Sequence, residues 1–432
     1  MADLLHVVME GQIAAVILRR SGRLELTYDE KYRRAPGSTP LSVSMPLASA
    51  THSHAVVDPW LEGLLPDDDT VRQQWGRRFQ VNASSAFSLL ATQIGEECAG
   101  AAAFMLESRL VDYLTGDAHV TWLTEDELAT RLRELRADRT TWLGRDFTGR
   151  FSLAGAQAKT ALLHDPDTDR WGVPSGAAAT SHILKPAIIG FDDHDLNEHL
   201  CLNAAARAGL LVAPTRVMRV RDESVVVSTR YDRVDSGAKW LTRIHQEDLC
   251  QALGVSPTRK YENEGGPGAR RITGLLRNAL PVEHVTAGLW RFFDALVLNW
   301  MIGATDGHAK NYSLLLAGNQ VRLAPLYDVA SALPYPTHDV QRLKLALKLG
   351  GDYTLRTRSA SMWDRVATEM ALPADAVRAR AGELAARLPD AFSDAAAEDQ
   401  VRDLHSMLPA ALVDAVTARV ARCASTLPAT AS

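Results

Sequence analysis

Residues 302–331 read IGATDGHAKNYSLLLAGNQVRLAPLYDVAS, and this stretch decides the fold. Just before it, GLWRFFDALVLNWMIG (residues 288–303) spaces Leu289, Phe292, Phe293, Leu296, Val297 and Trp300 at three- and four-residue intervals, the period of a helix with one apolar face. Asp306 and Asn311 follow in D-x-x-x-x-N spacing. YSLLL then predicts a strand, Gly318-Asn319 a turn, and VRLAPLY a second strand ending at Asp328. The expected order is long helix, polar loop, hairpin, aspartate.

Those residue types in that order suit phosphoryl transfer. The reaction needs a carboxylate to orient the attacking hydroxyl and accept its proton, a role open to Asp306 as the catalytic residue. Mg²⁺ prefers oxygen ligands and keeps several waters, so Asp328 and the amide oxygen of Asn311 suffice as metal ligands beside nucleotide phosphates. The same order is that of the catalytic loop, hairpin and metal-binding aspartate of protein kinases. By itself D-x-x-x-x-N is unspecific, and Asp306-Gly307 also reads as an ordinary turn. Lys185 adds weight, because it ends a strand where a lysine would contact the α- and β-phosphates; a solvent-facing strand lysine is the competing reading. Glu198 is the candidate ion-pair partner for Lys185, against a surface helix glutamate. Ala154-Gly155-Ala156-Gln157 is not a G-x-G-x-x-G loop, yet its small side chains permit backbone amides to approach phosphate. His308 is expected to touch a phosphate or position the catalytic loop. His194 and His199, near Asp192, Asp193 and Asp195, lack metal-ligand spacing and read as part of a solvated acidic turn.

Outward from this core, 432 residues exceed one ordinary core and predict several packed units. Hydrophobic residues make up 46% and charged ones 23%, which excludes a disordered or fibrous class. The start, MADLLHVVMEGQ, lacks the basic and apolar regions of a signal peptide, and apolar windows are interrupted by charges, so a cytoplasmic protein without membrane contact is expected. The four cysteines show no ligand spacing and read as reduced core thiols. A net charge of −5 argues against wrapping nucleic acid by charge alone. Arg259-Lys260 and Arg270-Arg271 remain as local basic clusters, around a loop (SPTRKYENEGGPGAR) that reads as too rich in glycine and charge to pack.

Four segments are expected. Residues 1–108 form a small α+β N-terminal subdomain, beginning with a hairpin over residues 5–28 that turns at Ser21-Gly22 and including a helix near PWLEGLLPD. Residues 109–149 form a helical connector with no core-like apolar run. Residues 150–235 form an antiparallel sheet with the phosphate loop: FSLAGAQAKTALL as strand, turn, strand; a strand to Lys185 closed by Pro186; a helix capped by Asp195 or Asn197; then strands TRVMRV and SVVVSTRY. Residues 236–432 form a helical lobe with the catalytic loop, its C-terminal helices divided by Pro373, Pro389 and Pro409.

Taken together, SLAGAQAKTALL, HILKP, NEHLCLNAAARAGL, RIHQEDLCQALG, TDGHAKN and LYDVAS occur in an order that resembles the HipA family of toxin kinases, and PWLEGLLPD resembles that family's first domain. The resemblance covers nearly the whole chain. It implies an α+β, bilobal protein-kinase-like (PI3/4-kinase-like) fold behind a small N-terminal subdomain, with ATP and Mg²⁺ as co-substrates and phosphorylation of a protein on serine or threonine. Known targets in the family are aminoacyl-tRNA synthetases, and the outcome is growth arrest and persistence. By motif, Lys185 matches the nucleotide-binding lysine, Asp306 the catalytic aspartate, and Asn311 and Asp328 the metal ligands. Lys159 of the AGAQxK motif, Thr229 and Tyr231 of the hinge and His308 join the nucleotide set, and Ser152 matches the family's autophosphorylated serine. A HipB-like helix-turn-helix antitoxin is implied as partner, carrying most contact with operator DNA. The chain departs from the family pattern at Thr229-Arg230, where some members have an acidic residue before the aromatic, and at Ala158, where some carry glutamate. Two other readings use the same residues: a small-molecule phosphotransferase and a non-catalytic co-repressor.

Overall fold

The computed structural model describes residues 3–115, 118–145, 149–187, 193–335, 342–356 and 361–427. The chain divides into two compact units, the first made of Met1–Pro186, Arg219–Thr258 and Ser313–Arg322, the second of Ala187–Met218, Arg259–Tyr312 and Leu323–Ser432. Strands dominate the first and helices the second.

The first unit begins with β1 (Asp3–Met9), β2 (Gln12–Arg20) and β3 (Arg23–Tyr28), joined with β4 (Thr51–Ser53) and β5 (Ala103–Met105) in the order β4-β3-β2-β1-β5. The expected hairpin is thus a three-stranded meander. Its two tight turns, Glu10-Gly11 and Ser21-Gly22, both hold two successive residues at positive φ. That geometry matches the twist of antiparallel strands. Helices His54–Gly63 and Asp69–Phe79 bury Trp60 and Trp75 against this unit's core, where the Trp60 and Phe104 rings lie 5.4 Å apart. Each such buried aromatic contributes roughly 1.5–3 kcal/mol by removing apolar surface from water.

The segment expected as a helical connector contributes to a sheet. Within it, β6 (His119–Leu123) pairs antiparallel with β8 (Arg170–Ser175). Helix Glu125–Ala137 follows, opened by a Thr124/Glu127 capping box. It buries Leu128, Leu132 and Leu135 on one face while most of its charges stay on the other, so an apolar face exists without an apolar run. The sheet continues through β7 (Thr160–Asp165) and β9 (His182–Pro186) to β10 (Thr215–Val220) and β11 (Glu223–Thr229), in the order β10-β11-β9-β7-β8-β6. Val225, Val226 and Val227 are all buried, as befits a strand covered on both faces. The strand expected over FSLA is absent; Ser152 makes only a single bridge with Cys98. After the short pair β12 (Arg233–Val234) and β13 (Thr242–Arg243), strands β14 (His245–Asp248), β15 (Ser313–Ala317) and β16 (Gln320–Leu323) form a three-stranded sheet. The short helix Leu249–Ala252 follows β14, opened by a capping box of Asp248 and Gln251.

In the second unit, helix Val282–Ile302 is buried continuously from Phe292 to Ile302, including Asp294, whose carboxylate accepts two hydrogen bonds from Arg380. Helices Ser361–Met370, Ala374–Ala396 and Leu408–Ala424 complete the helical layer, and β17 (Lys344–Leu349) pairs with β18 (Asp352–Thr354). Pro373 and Pro409 stand at helix starts, but Pro389 lies inside Ala374–Ala396 and does not divide it. Helix His194–Arg207 starts from Asp193, at φ 56°, without a side-chain cap; Asp195 and Asn197 are buried in its first turns instead. His199, expected in a solvated turn, is also buried there, its Nδ1 meeting the Thr215 hydroxyl, while Asp192 lies outside the described residues. No helix among the described residues is long and apolar enough to cross a membrane.

Candidate active site

The residues of the expected catalytic loop are positioned by the end of helix Val282–Ile302. Gly303 terminates it at φ 66°, and the Gly303 and Ala304 amides both donate to Asn299 O. The chain then folds on itself: His308 N donates to Asp306 O at 2.7 Å and Asn311 N to His308 O at 2.9 Å. The Asn311 side chain donates through Nδ2 to Asp306 O (2.9 Å) and Asp328 O (3.4 Å), so one amide ties the loop to the end of the hairpin connection. Because both partners are carbonyls, they fix which end of the amide donates, and Oδ1 remains the acceptor atom. Asp306, Asn311 and Asp328 line one cleft of about 190 Å³ with His194, Tyr312 and Tyr335.

Asp328 sits at φ 57°, in the left-handed region that costs a non-glycine residue roughly 1–2 kcal/mol. Its neighbours hold it there. Leu326 N donates to Leu211 O and Ala213 N to Leu326 O, and Tyr327 OH donates to Lys310 O. Asn197 clamps the far side: its Nδ2 donates to Ser331 O (2.8 Å) and its Oδ1 accepts from Ser331 N (2.9 Å). The Ser331 hydroxyl in turn donates to Ile302 O, binding the helix end to the segment after Asp328. Asn299 Nδ2 donates to the buried Tyr312 hydroxyl, and a Cβ on Gly307 would lie 2.3 Å from that Nδ2. Glycine at 307 is therefore a packing requirement of the loop, beyond its fit to a turn. His308 is buried beside it, not exposed at a loop tip.

Most of the other expected residues lie in the first unit. Lys185 on β9 is 6% exposed, which removes the solvent-facing reading. Glu198, in the second unit, is 2% exposed and is not a surface helix glutamate. Burial of either charge demands polar partners. In the loop Ala154, Gly155, Ala156 and Gln157, Gly155 adopts φ 107° and its carbonyl accepts from Asp67 N. Lys159 Nζ donates to Ala154 O at 2.7 Å and stands 5.1 Å above the Trp142 ring, closing the loop from within. Ser152 is fully buried, its Oγ donating to Leu64 O and its N to Glu97 O. Thr229 ends β11 opposite His182, and Tyr231 OH donates to Gln246 Oε1.

Arg230, at the expected hinge, turns inward. It joins a buried cluster in which the Glu97 carboxylate accepts from Arg230, Arg233, Arg243 and Thr180, and Asp232 accepts from Arg230 and Gly100 N. Burial opposes the charged form of Glu97, but the guanidiniums of Arg233, Arg243 and Arg230 outweigh it and hold the carboxyl well below its usual range. Since Glu97 and Cys98 also carry the backbone contacts to Ser152, this cluster anchors the entry to the loop Ala154, Gly155, Ala156 and Gln157.

Residues 151–392 match the HipA-like C-terminal domain and residues 5–105 the HipA N-terminal domain. The chain belongs to the HipA family. It is 33% identical over 382 residues to Y4mE of Sinorhizobium fredii, a protein named as a candidate kinase, covering 87% of this chain and 88% of that protein. To the serine/threonine-protein kinase toxin HipA of Shewanella oneidensis it is 24% identical, over 82% of this chain and 80% of the toxin. Among solved structures, the HipA, HipB and operator DNA complex of Shewanella oneidensis MR-1 superposes with a TM-score of 0.81, covering 97% of both chains at 20% identity. The mixed α/β architecture is thus the HipA fold. Sequence reasoning missed Asn197 as a loop tie, and Asn299, Tyr312 and Ser331 altogether, because the buried amides and hydroxyls that hold these loops together carry no spacing signature. It also missed Tyr261, whose hydroxyl donates to Asp306 Oδ1 at 2.6 Å from the loop expected not to pack.

Proposed function

We propose that this HipA-family chain is an ATP-dependent serine/threonine protein kinase that works with Mg²⁺ and serves as the growth-arresting toxin of a toxin-antitoxin pair. The observation that carries the reading is the convergence of Asp306, Asn311 and Asp328 in one cleft, tied together through the Asn311 amide. The donor set fits the metal: a carboxylate and an amide oxygen, both hard, beside space for phosphate oxygens and water. When bound, Mg²⁺ neutralises charge on the phosphates. Asp306 orients the acceptor hydroxyl and takes its proton as the acceptor oxygen bonds to the γ-phosphorus, while the bond from that phosphorus to the β,γ-bridging oxygen breaks and ADP departs.

Lys185 is assigned to the α- and β-phosphates, and the amides of Ala154, Gly155, Ala156 and Gln157 to the phosphate chain, with Lys159 shaping that loop. His308 borders the phosphates, and Thr229 and Tyr231 the base. Ser152 is the autophosphorylation site. Because its hydroxyl is seated in the interior, modification requires the segment to leave that seat. A phosphate of about −1.5 to −2 charge then prevents its return to a buried position. A HipB-like antitoxin is the partner, with operator DNA reached mainly through it, in keeping with the net charge of −5. An aminoacyl-tRNA synthetase is the substrate, and an enzyme acting on it with ATP works in the cytoplasm.

The test is incubation with ATP, Mg²⁺ and a bacterial lysate, followed by mapping of new phosphosites, with Asp306→Asn in parallel. New phosphoserine or phosphothreonine that falls roughly 10²-fold or more in the variant supports the reading. Phosphate found only on small molecules transfers it to the alternative phosphotransferase, and equal labelling by both proteins removes Asp306 from the chemistry.

A further inference from the structure

Resting on that kinase reading, we propose that Tyr261 is a positioning residue for phosphoryl transfer, holding one carboxylate oxygen of Asp306 so that the other receives the acceptor's proton. Asp306 is exposed, and the Tyr261 hydroxyl donates a hydrogen bond to its Oδ1 at 2.6 Å. A carboxylate at a loop tip rotates about its last torsion, and a base that must meet an incoming hydroxyl gains from having that rotation stopped.

The loop carrying Tyr261 is built to hold it. The Tyr261 ring stands edge-on to His308 at 4.9 Å, and Ala309 N donates to Lys260 O, so the loop meets the catalytic segment at Asp306, His308 and Ala309. Behind it, Tyr261 O accepts from Glu264 N and Gly266 N. Glu262 Oε2 accepts from Lys348 N, tying the loop to β17. Gly266 is required for this closure: a Cβ there would lie 2.2 Å from Arg259 O and 2.6 Å from Tyr261 O, both backbone atoms. The glycines and charges that read as an unpacked loop are instead the means by which a hydroxyl is brought to the catalytic carboxylate.

The experiment compares the full chain with Tyr261→Phe, Gly266→Ala and the double variant, using γ-labelled ATP and a bacterial lysate as acceptor, with nucleotide titration and thermal melting alongside. Tyr261→Phe keeps the ring on His308 and removes only the hydroxyl. Its transfer rate at saturating ATP is expected to fall about tenfold, the effect of losing a hydrogen bond to a charged group, with ATP affinity and melting temperature unchanged. Gly266→Ala is expected to lower the rate as well, and the double variant to be no slower than the slower single one, since both remove the same contact. A Tyr261→Phe rate within about twofold of the native protein overturns the proposal while leaving the kinase reading intact. A faster rate overturns it in favour of a hydroxyl that blocks the acceptor. Absence of transfer by the native protein and Asp306→Asn alike removes the kinase reading and this proposal with it.

Discussion

Asp328 combines two features at one position: it lines the cleft, and its backbone angle of φ 57° disfavours any side chain. Backbone strain of this kind persists only where neighbours over-determine it, as the Asn311, Leu326 and Tyr327 hydrogen bonds do. Asp328→Ala is therefore expected to fold but to lose Mg²⁺-dependent nucleotide binding; titrations with and without Mg²⁺ check this, and a retained Mg²⁺ effect removes Asp328 as a ligand. Glu247 poses the opposite problem. Among the described residues no cation pairs with it, and burial raises its carboxyl to about 8 despite hydrogen bonds from Ser42 and Val43. The folded chain keeps a proton that the unfolded chain loses above about pH 4.3, so stability falls as pH rises from there toward 8, by up to about 1.4 kcal/mol per pH unit. Glu247→Gln keeps both hydrogen-bonding ends without the ionisation. Thermal melts should show it several degrees more stable than the native protein at about pH 8 and nearly equal at about pH 4.5; equal melts at both would show that Glu247 is charged in the fold.

At the scale of the element, helix Val282–Ile302 was legible because its apolar period is long and regular, and its stop at Gly303 follows from φ 66°. A Cβ on Gly303 would lie 2.8 Å from two atoms of the Leu333 side chain. Gly303→Ala should cost about 2 kcal/mol through strain and crowding, and lower transfer by shifting Asp306. Gly274, inside helix Ala269–Ala279, is the control, since an added Cβ there would meet nothing within 4 Å: Gly274→Ala should stabilise by roughly 0.5–1 kcal/mol. Denaturant unfolding of the two variants decides between them, and opposite signs are expected. Elements that failed to read were those whose partners are distant in sequence. Strand β6 is a strand because β8, about fifty residues on, supplies its hydrogen bonds, and Pro389 is tolerated because its helix is held by packing along Ala381, Leu384, Leu388 and Phe392 rather than by an unbroken ladder.

For the whole molecule, the expectation is growth arrest when the chain is expressed alone and relief when a neighbouring small helix-turn-helix protein is co-expressed; colony counts check it, and unimpaired growth with active kinase present removes the toxin role. The sequence by itself determined the order of parts: the apolar period of the long helix, the D-x-x-x-x-N spacing, the hairpin and the family motifs are all local patterns, set by helical and strand repeats and by residue type. Tertiary structure alone decided which polar residues are interior. Glu97 is charged inside the protein only because Arg230, Arg233 and Arg243 arrive from at least 133 residues away. Asn197 is a clamp on Ser331 rather than a helix cap because the chain returns 134 residues later to meet it. The Tyr261 loop packs because Lys348 and the segment at Asp306 close on it. Burial of a polar group becomes favourable only when its partners are in place, and those partners are chosen by the fold, not by neighbours along the chain.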